Sequence, residues 1–274
     1  MSRKNLNNEW RKVASAMYIK PVDSKILGSV ELDVGNLEKY ISEKRKQGLK
    51  ITLTHVFTLI LARGLKTEVP ELNSYVKRGK IVGRDTVDAM ISVLLKGEEM
   101  SSVKVPSAEK MNLEDLADFL KKNIQETRSG EESKAMRKKG MLARIPWPFR
   151  RWVYKLIKLF TITWGINIFG ISANNYGSFV VANIGTLGLD VGYPALFPTS
   201  NVALVVTLGN IFKKPAVVND KIVPRRMMTV GVAMDHRVVD ASHGGKLFRF
   251  TRRYVNNPEL LEERPGNSDT LTAD

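Results

Sequence analysis

The segment from Arg226 to Met234 is rich in apolar and β-branched residues and runs directly into Asp235-His236-Arg237-Val238-Val239-Asp240. Its composition predicts a strand. Downstream, Leu247, Phe248, Phe250, Tyr254 and Val255 recur at helical spacing within Lys246 to Asn256. His236 therefore falls where a strand ends and a helix is about to begin. Four of these six junction residues are polar, and they follow a hydrophobic strand. Burying such a charged cluster is costly unless its members pair. Asp235, Arg237 and Asp240 are thus expected to form local ion pairs and to hold the imidazole. The plainer reading of a lone histidine is a hydrogen-bonded structural group.

Other short stretches fall in a recognisable order. They are Arg11-Lys12-Val13-Ala14-Ser15-Ala16-Met17, Glu31-Leu32-Asp33, Lys50-Ile51-Thr52, Pro70-Glu71-Leu72-Asn73, and Val180-Val181-Ala182-Asn183. Together with Asp235 to Asp240 they resemble the catalytic domain of the acyltransferase component of 2-oxoacid dehydrogenase complexes, with its DHRxxDG signature. The wider HxxxDG superfamily includes chloramphenicol acetyltransferase. The resemblance covers the chain apart from 129–175 and the tail. It implies an α/β, chloramphenicol acetyltransferase-like two-layer fold, a mixed sheet flanked by helices. It also implies a homotrimer with each active site at a subunit interface, and coenzyme A or acyl-CoA as substrate.

In the resembling family, His236 would be the general base for acyl transfer to a thiol, hydroxyl or amine. A neutral imidazole suits that task near neutral pH. Asp240 matches the family's aspartate, which pairs with an arginine near the N-terminus; Arg11 is the candidate here, with Arg237 as further support of the site. Two positions depart from the pattern. Ala182 stands where the family places an oxyanion-stabilising hydroxyl, a donor commonly worth about 100-fold in rate. Asn183, Ser178 or Thr186 are the candidates to replace it. Ala241 stands where the family has glycine, and alanine would be strained if that position needed positive φ. A catalytically inactive scaffold or acyl-CoA-binding relative is the alternative.

The 274 residues contain no cysteine and three histidines, His55, His236 and His243. This excludes disulfides and cysteine nucleophiles and argues against a histidine-rich metal site. No signal peptide and no 18-residue apolar run is read, which leads us to expect a cytoplasmic protein. The formal net charge is +15. No nucleic-acid-binding motif accompanies it, so no nucleic-acid partner is expected. No lipoyl lysine is read in this chain, which leaves the lipoyl domain of another protein as a possible acceptor.

One acyltransferase-type domain is expected over 1–262, with a basic amphipathic insert at 129–175 and a polar tail at 263–274. Assembly is expected to stop at the trimer. Helices are predicted at Trp10–Met17, Asn36–Lys46, Ile51–Thr67 and Leu113–Ile124, with His55 on the side of a packed helix. Strands are predicted at Gly28–Val34, Tyr75–Val76, Lys80–Val82, Val87–Leu95, Ser178–Asn183, Ala203–Gly209 and Ile222 onward. Within the insert, Ser129 to Gly140 is polar. From Pro148 a helix should follow, with Phe149, Trp152, Val153, Leu156 and Phe160 on one face and Arg150, Arg151, Lys155 and Lys158 around it. Residues 146–160 would suit an anionic membrane surface. The alternative is that this face packs on its own domain or on a sister subunit.

Overall fold

Asn219 and Asp220 both adopt left-handed φ, 49° and 60°, as a two-residue hairpin turn requires. They join the two longest strands, β7 (Leu204–Val218) and β8 (Lys221–Asp235). The ladder between these strands runs from Val218↔Lys221 to Leu204↔Met234, with a register shift between Leu208 and Ile211. The structure, a computed structural model, describes residues 24–94, 100–128, 149–167, 176–196 and 200–262.

Around this hairpin a six-stranded mixed sheet is ordered β1-β8-β7-β6-β4-β5. Its other strands are β1 (Lys25–Asp33), β4 (Ala89–Leu94), β5 (Met100–Val105) and β6 (Phe179–Asn183). β1 is antiparallel to β8, β6 is parallel to both β7 and β4, and β5 is antiparallel to β4. A separate two-stranded hairpin pairs β2 (Ser74–Lys77) with β3 (Lys80–Gly83).

Alternation decides what each face of the sheet meets. Met228, Val230, Val232 and Met234 of β8, Leu204, Val206 and Leu208 of β7, and Phe179 and Val181 of β6 belong to one continuous core. The helices close it. α1 (Gly35–Lys46) buries Leu37, Tyr40 and Ile41. α2 (Leu53–Thr67) is buried continuously from Val56 to Leu65, as befits a helix apolar on nearly all sides. α3 (Leu113–Arg128) starts after Asn112, whose Oδ1 accepts the Asp115 N–H at 2.8 Å while Asp115 Oδ2 accepts the Asn112 N–H at 3.2 Å. α4 spans Phe149–Lys158, and α5 spans Ala241–Asn256.

The opposite face is covered differently. β6 and β7 are parallel, so the chain must travel back along the sheet between them. The segment after Asn183 makes that return as a strap over this face. Two close approaches show its path. A Cβ on Gly209 would lie 2.0 Å from Asp190 O, and one on Gly231 would lie 2.2 Å from Gly192 O. Only glycine leaves room for the strap there.

Most predicted elements are present, and three differ. β5 was not anticipated, because Ser101, Ser102 and Lys104 dilute its pattern and only Val103 and Val105 enter the core. β7 continues beyond Gly209 through the bulge, and α5 begins at Ala241 rather than Lys246. The predicted helix at Trp10–Met17, Arg11 itself, Ser129–Gly140 and the tail at 263–274 lie outside the described residues.

His55 takes its place in the first turn of α2. Its Nδ1 lies 2.7 Å from Thr52 Oγ1. Burial, aided by Arg45, lowers its pKa to about 4. The unfolded chain therefore binds this proton at a pH where the folded chain does not. The contribution of His55 to stability is full above about pH 6.5 and is lost as pH falls toward 4, by up to about 3 kcal/mol. Urea melts at pH 7 and pH 4.5 should show a smaller acid-induced loss for His55→Asn than for wild type. Equal losses would contradict this.

Candidate active site

The loop that ends β8 is fixed by groups on both sides. The Asp235 N–H donates to Ala203 O at 2.9 Å, and the His236 N–H donates to Ser24 O at 2.6 Å. The sheet's hydrogen bonding thus extends past the last strand residue. Beyond it the N–H groups of Val238 and Val239 return to Asp235 O at 3.0 and 3.1 Å. Both valines are buried and anchor the turn in the core.

Within this turn His236 Nδ1 lies 2.9 Å from Val239 O and 3.4 Å from Asp240 Oδ1. A carbonyl oxygen can only accept, so Nδ1 carries the hydrogen and Nε2 the lone pair. The ring is oriented by its own loop, and its side chain is 31 % exposed. Such an imidazole can take a proton at Nε2 without any change at Nδ1.

The neighbouring charges act as supports. Arg237 Nε lies 3.0 and 3.1 Å from the two carboxylate oxygens of Asp235, and Nη2 lies 2.6 Å from Oδ2. The Arg237 backbone N–H also reaches Asp235 Oδ1 at 3.0 Å. This is a bidentate, largely buried pair. Asp240 stands at the N-cap of α5 with extended backbone, and its N–H donates to His243 Nδ1 at 3.1 Å. His243 thus belongs to the cap. Ala241 is the first residue of the helix and is absent from the positive-φ residues, so alanine is unstrained there. The pairing of Asp240 with Arg11 falls outside the described residues.

The structure does not bring Ala182 and Asn183 to His236 within one chain. Ala182 is in register with Thr207, and Thr207 with Gly231. Gly231 precedes His236 by five residues, about 17 Å along the strand. Ala182 alternates with the core residue Val181, so it points to the strap-covered face, whereas Asn183 lies on the helix-covered side. Ser178 Oγ donates to Asn73 Oδ1 at 2.6 Å and accepts the Asp88 N–H at 3.1 Å, fully buried. Thr186 Oγ1 donates to Asn183 O at 2.9 Å.

The hydroxyl beside Ala182 belongs to Thr207, a residue that sequence reasoning missed. Its proton is directed to Gly192 O in the strap. The available signal was one hydroxyl residue inside the apolar run Leu204 to Leu208.

Residues 172–262 match the family model described as 2-oxoacid dehydrogenases acyltransferase (catalytic domain). A dihydrolipoyllysine-residue succinyltransferase component of the 2-oxoglutarate dehydrogenase complex from Arabidopsis thaliana is 26% identical over 237 residues, 84% of this chain and 42% of its own length. A dihydrolipoyllysine-residue acetyltransferase component from Acholeplasma laidlawii is 30% identical over 86 residues, 31% of this chain and 15% of its own. The chain therefore spans less than half the length of these relatives. A probable dihydrolipoamide acetyltransferase from Listeria monocytogenes superposes with a TM-score of 0.65 at 19% identity, covering 96% of this chain and 92% of that one. A chloramphenicol acetyltransferase superposes with a TM-score of 0.54 at 11% identity, covering 92% and 97%. The fold is that of these acyltransferases.

Removing one partner of a buried ion pair strands the other charge, at a cost of about 3–5 kcal/mol. Arg237→Met should lower stability in urea by that order, and Asp235→Asn in the same chain should restore much of it. A loss typical of an exposed arginine, below about 0.5 kcal/mol, would show that the pair does not hold the loop.

Proposed function

We propose that this chain, a member of the 2-oxoacid dehydrogenase acyltransferase family through residues 172–262, transfers an acyl group between coenzyme A and a thiol, hydroxyl or amine acceptor. The observation that carries the reading is the His236 Nδ1 contact with Val239 O, which leaves the basic lone pair on Nε2. The acceptor's proton moves to Nε2 as its heteroatom bonds to the thioester carbonyl carbon. The tetrahedral oxyanion then collapses, the carbon–sulfur bond breaks, and the departing thiolate takes the proton back from Nε2. Asp240 and Arg237 position the loop; they are not reacting groups in this scheme.

The division of the site within one chain supports assembly. His236 lies at one end of the sheet, while Ala182, Asn183 and the strap lie toward the other. A homotrimer would let His236 of one copy face the strap side of its neighbour. The strap offers exposed Leu187, Leu189, Val191 and Tyr193, with Leu27 of β1 also exposed, an apolar strip that a second copy would cover. The lipoyl domain of another protein is one acceptor compatible with this reading, and the cytoplasm is the compartment we assign.

Ala182 favours a second reading, an acyl-CoA-binding relative without catalysis. With Thr207 committed to Gly192 O, no hydroxyl at this register position replaces the missing donor. The two readings separate in acyl-CoA turnover over a panel of thiol, hydroxyl and amine acceptors. Wild type should show slow transfer, His236→Ala should lose at least about 100-fold, and Ala182→Ser should raise kcat by roughly 10- to 100-fold. Equal inactivity of wild type, His236→Ala and Ala182→Ser, with acyl-CoA still bound by calorimetry, would establish the non-catalytic reading.

A further inference from the structure

The sequence Phe149 to Lys158 holds four basic residues and no acidic one. Apolar residues recur through it at helical spacing, yet the stripe does not enter the core. Phe149 and Trp152 are each 64 % exposed, Leu156 is 52 %, and Leu159 just beyond is also exposed. The chain then widens into a π-helical turn at Leu159–Thr163, where Thr161 and Ile162 become buried. α4 is therefore held at its C-terminal end, and its apolar face is left outward.

That C-terminal end is fixed to the β2–β3 hairpin. The Arg78 N–H donates to Thr163 O at 3.0 Å, and Arg78 Nε donates to Trp164 O at 3.1 Å. Phe160 meets Trp164 edge to face at 5.3 Å, which leaves Trp164 47 % exposed. The hairpin adds Lys77, Arg78 and Lys80. One surface thus combines two exposed tryptophans and exposed aliphatic side chains with basic residues from two elements. Lys155 Nζ lies 5.5 Å from the Trp152 ring, so positive charge borders the apolar stripe directly.

A packed protein interface of this apolar content would be depleted in lysine. A lipid surface instead favours tryptophan at its boundary, aliphatic side chains beneath it and basic residues among the headgroups. α4 has ten residues, about 15 Å in length, half of what a span requires. Among the described residues no helix is long and apolar enough to cross a membrane. Surface attachment is the membrane contact that fits.

We propose that α4 and the β2–β3 hairpin form a docking surface for an anionic lipid bilayer. Resting on the acyltransferase reading, this surface also places the reaction at the bilayer. Lys158, the last residue of α4, lies within electrostatic reach of Arg237, the neighbour of His236; burial first, and Arg237 second, lower its pKa. On that reading, an acceptor dissolved in or tethered to the membrane interface is the kind that a docked chain would meet.

The test is co-sedimentation of the full chain with phosphatidylcholine vesicles, with and without phosphatidylserine, at low and high salt. Binding is expected only with the anionic vesicles and should fall steeply between about 0.05 and 0.5 M salt, as the Debye length shrinks. Each basic residue at the surface accounts for about five-fold in partitioning. Lys155→Glu should therefore bind at least about five-fold more weakly, and Trp152→Glu about ten-fold or more weakly. Both sites are exposed, and circular dichroism and sedimentation should show unchanged fold and assembly. Recovery of wild type in the supernatant under all four conditions would overturn the proposal. So would loss of assembly in Trp152→Glu, which would make the face a contact between copies. His236→Ala should bind vesicles as wild type does, so vesicle binding stands or falls independently of catalysis.

Discussion

The hydrogen-bonded ladder between β7 and β8 sets the geometry of everything around it. Its inward residues form one wall of the helix-covered core, and its outward glycines, Gly209 and Gly231, admit the strap on the other side. The ladder also reaches the candidate site without interruption. Asp235, the last strand residue, donates to Ala203, and His236 continues the pattern by donating to Ser24 beyond it. Each such bond contributes only about 1 kcal/mol net, yet leaving one unmade in a buried place costs more. The imidazole is therefore positioned by the backbone of three strands, with a buried ion pair bracing the loop.

Much of this was legible in the sequence because the signals were local and redundant. The run from Arg226 to Met234 was rich in apolar and β-branched residues, and Leu37, Tyr40 and Ile41 kept helical spacing within the predicted Asn36–Lys46 helix. The strand-to-helix position of His236 followed from the change of period around it. β5 was not legible. Ser102 and Lys104 face away from the core, Ser101 puts a polar group on the core-facing side, and the strand exists because β4 offers an edge to pair with. Nor could the strap be read, since its path depends on two glycines in other strands. The role of Thr207 was hidden for the same reason, as its partner Gly192 is a backbone oxygen fifteen residues away.

The two departures from the family pattern have unequal physical weight. Ala241 falls at the start of a helix, where its methyl group meets no backbone strain. Ala182 falls on the strap-covered face in register with a threonine whose proton is already used. One is a neutral change at the start of a helix; the other, on the proposed acyl-transfer reading, leaves the strap-covered face without a spare hydroxyl donor. A motif match weights the two alike, and only the register of the sheet tells them apart.

The separation of His236 from Ala182 along one sheet has a further consequence. In an assembly built as we propose, no chain owns a complete site; each lends its histidine end to one neighbour and its strap end to the other. A chain damaged at one end disables one site of the ring, and a chain damaged at both ends disables two. Two kinds of inactive chain, each spoiled at a different end, would regain activity when allowed to exchange partners. Inheritance of defects in such a protein would follow the arithmetic of mixed rings rather than that of independent molecules.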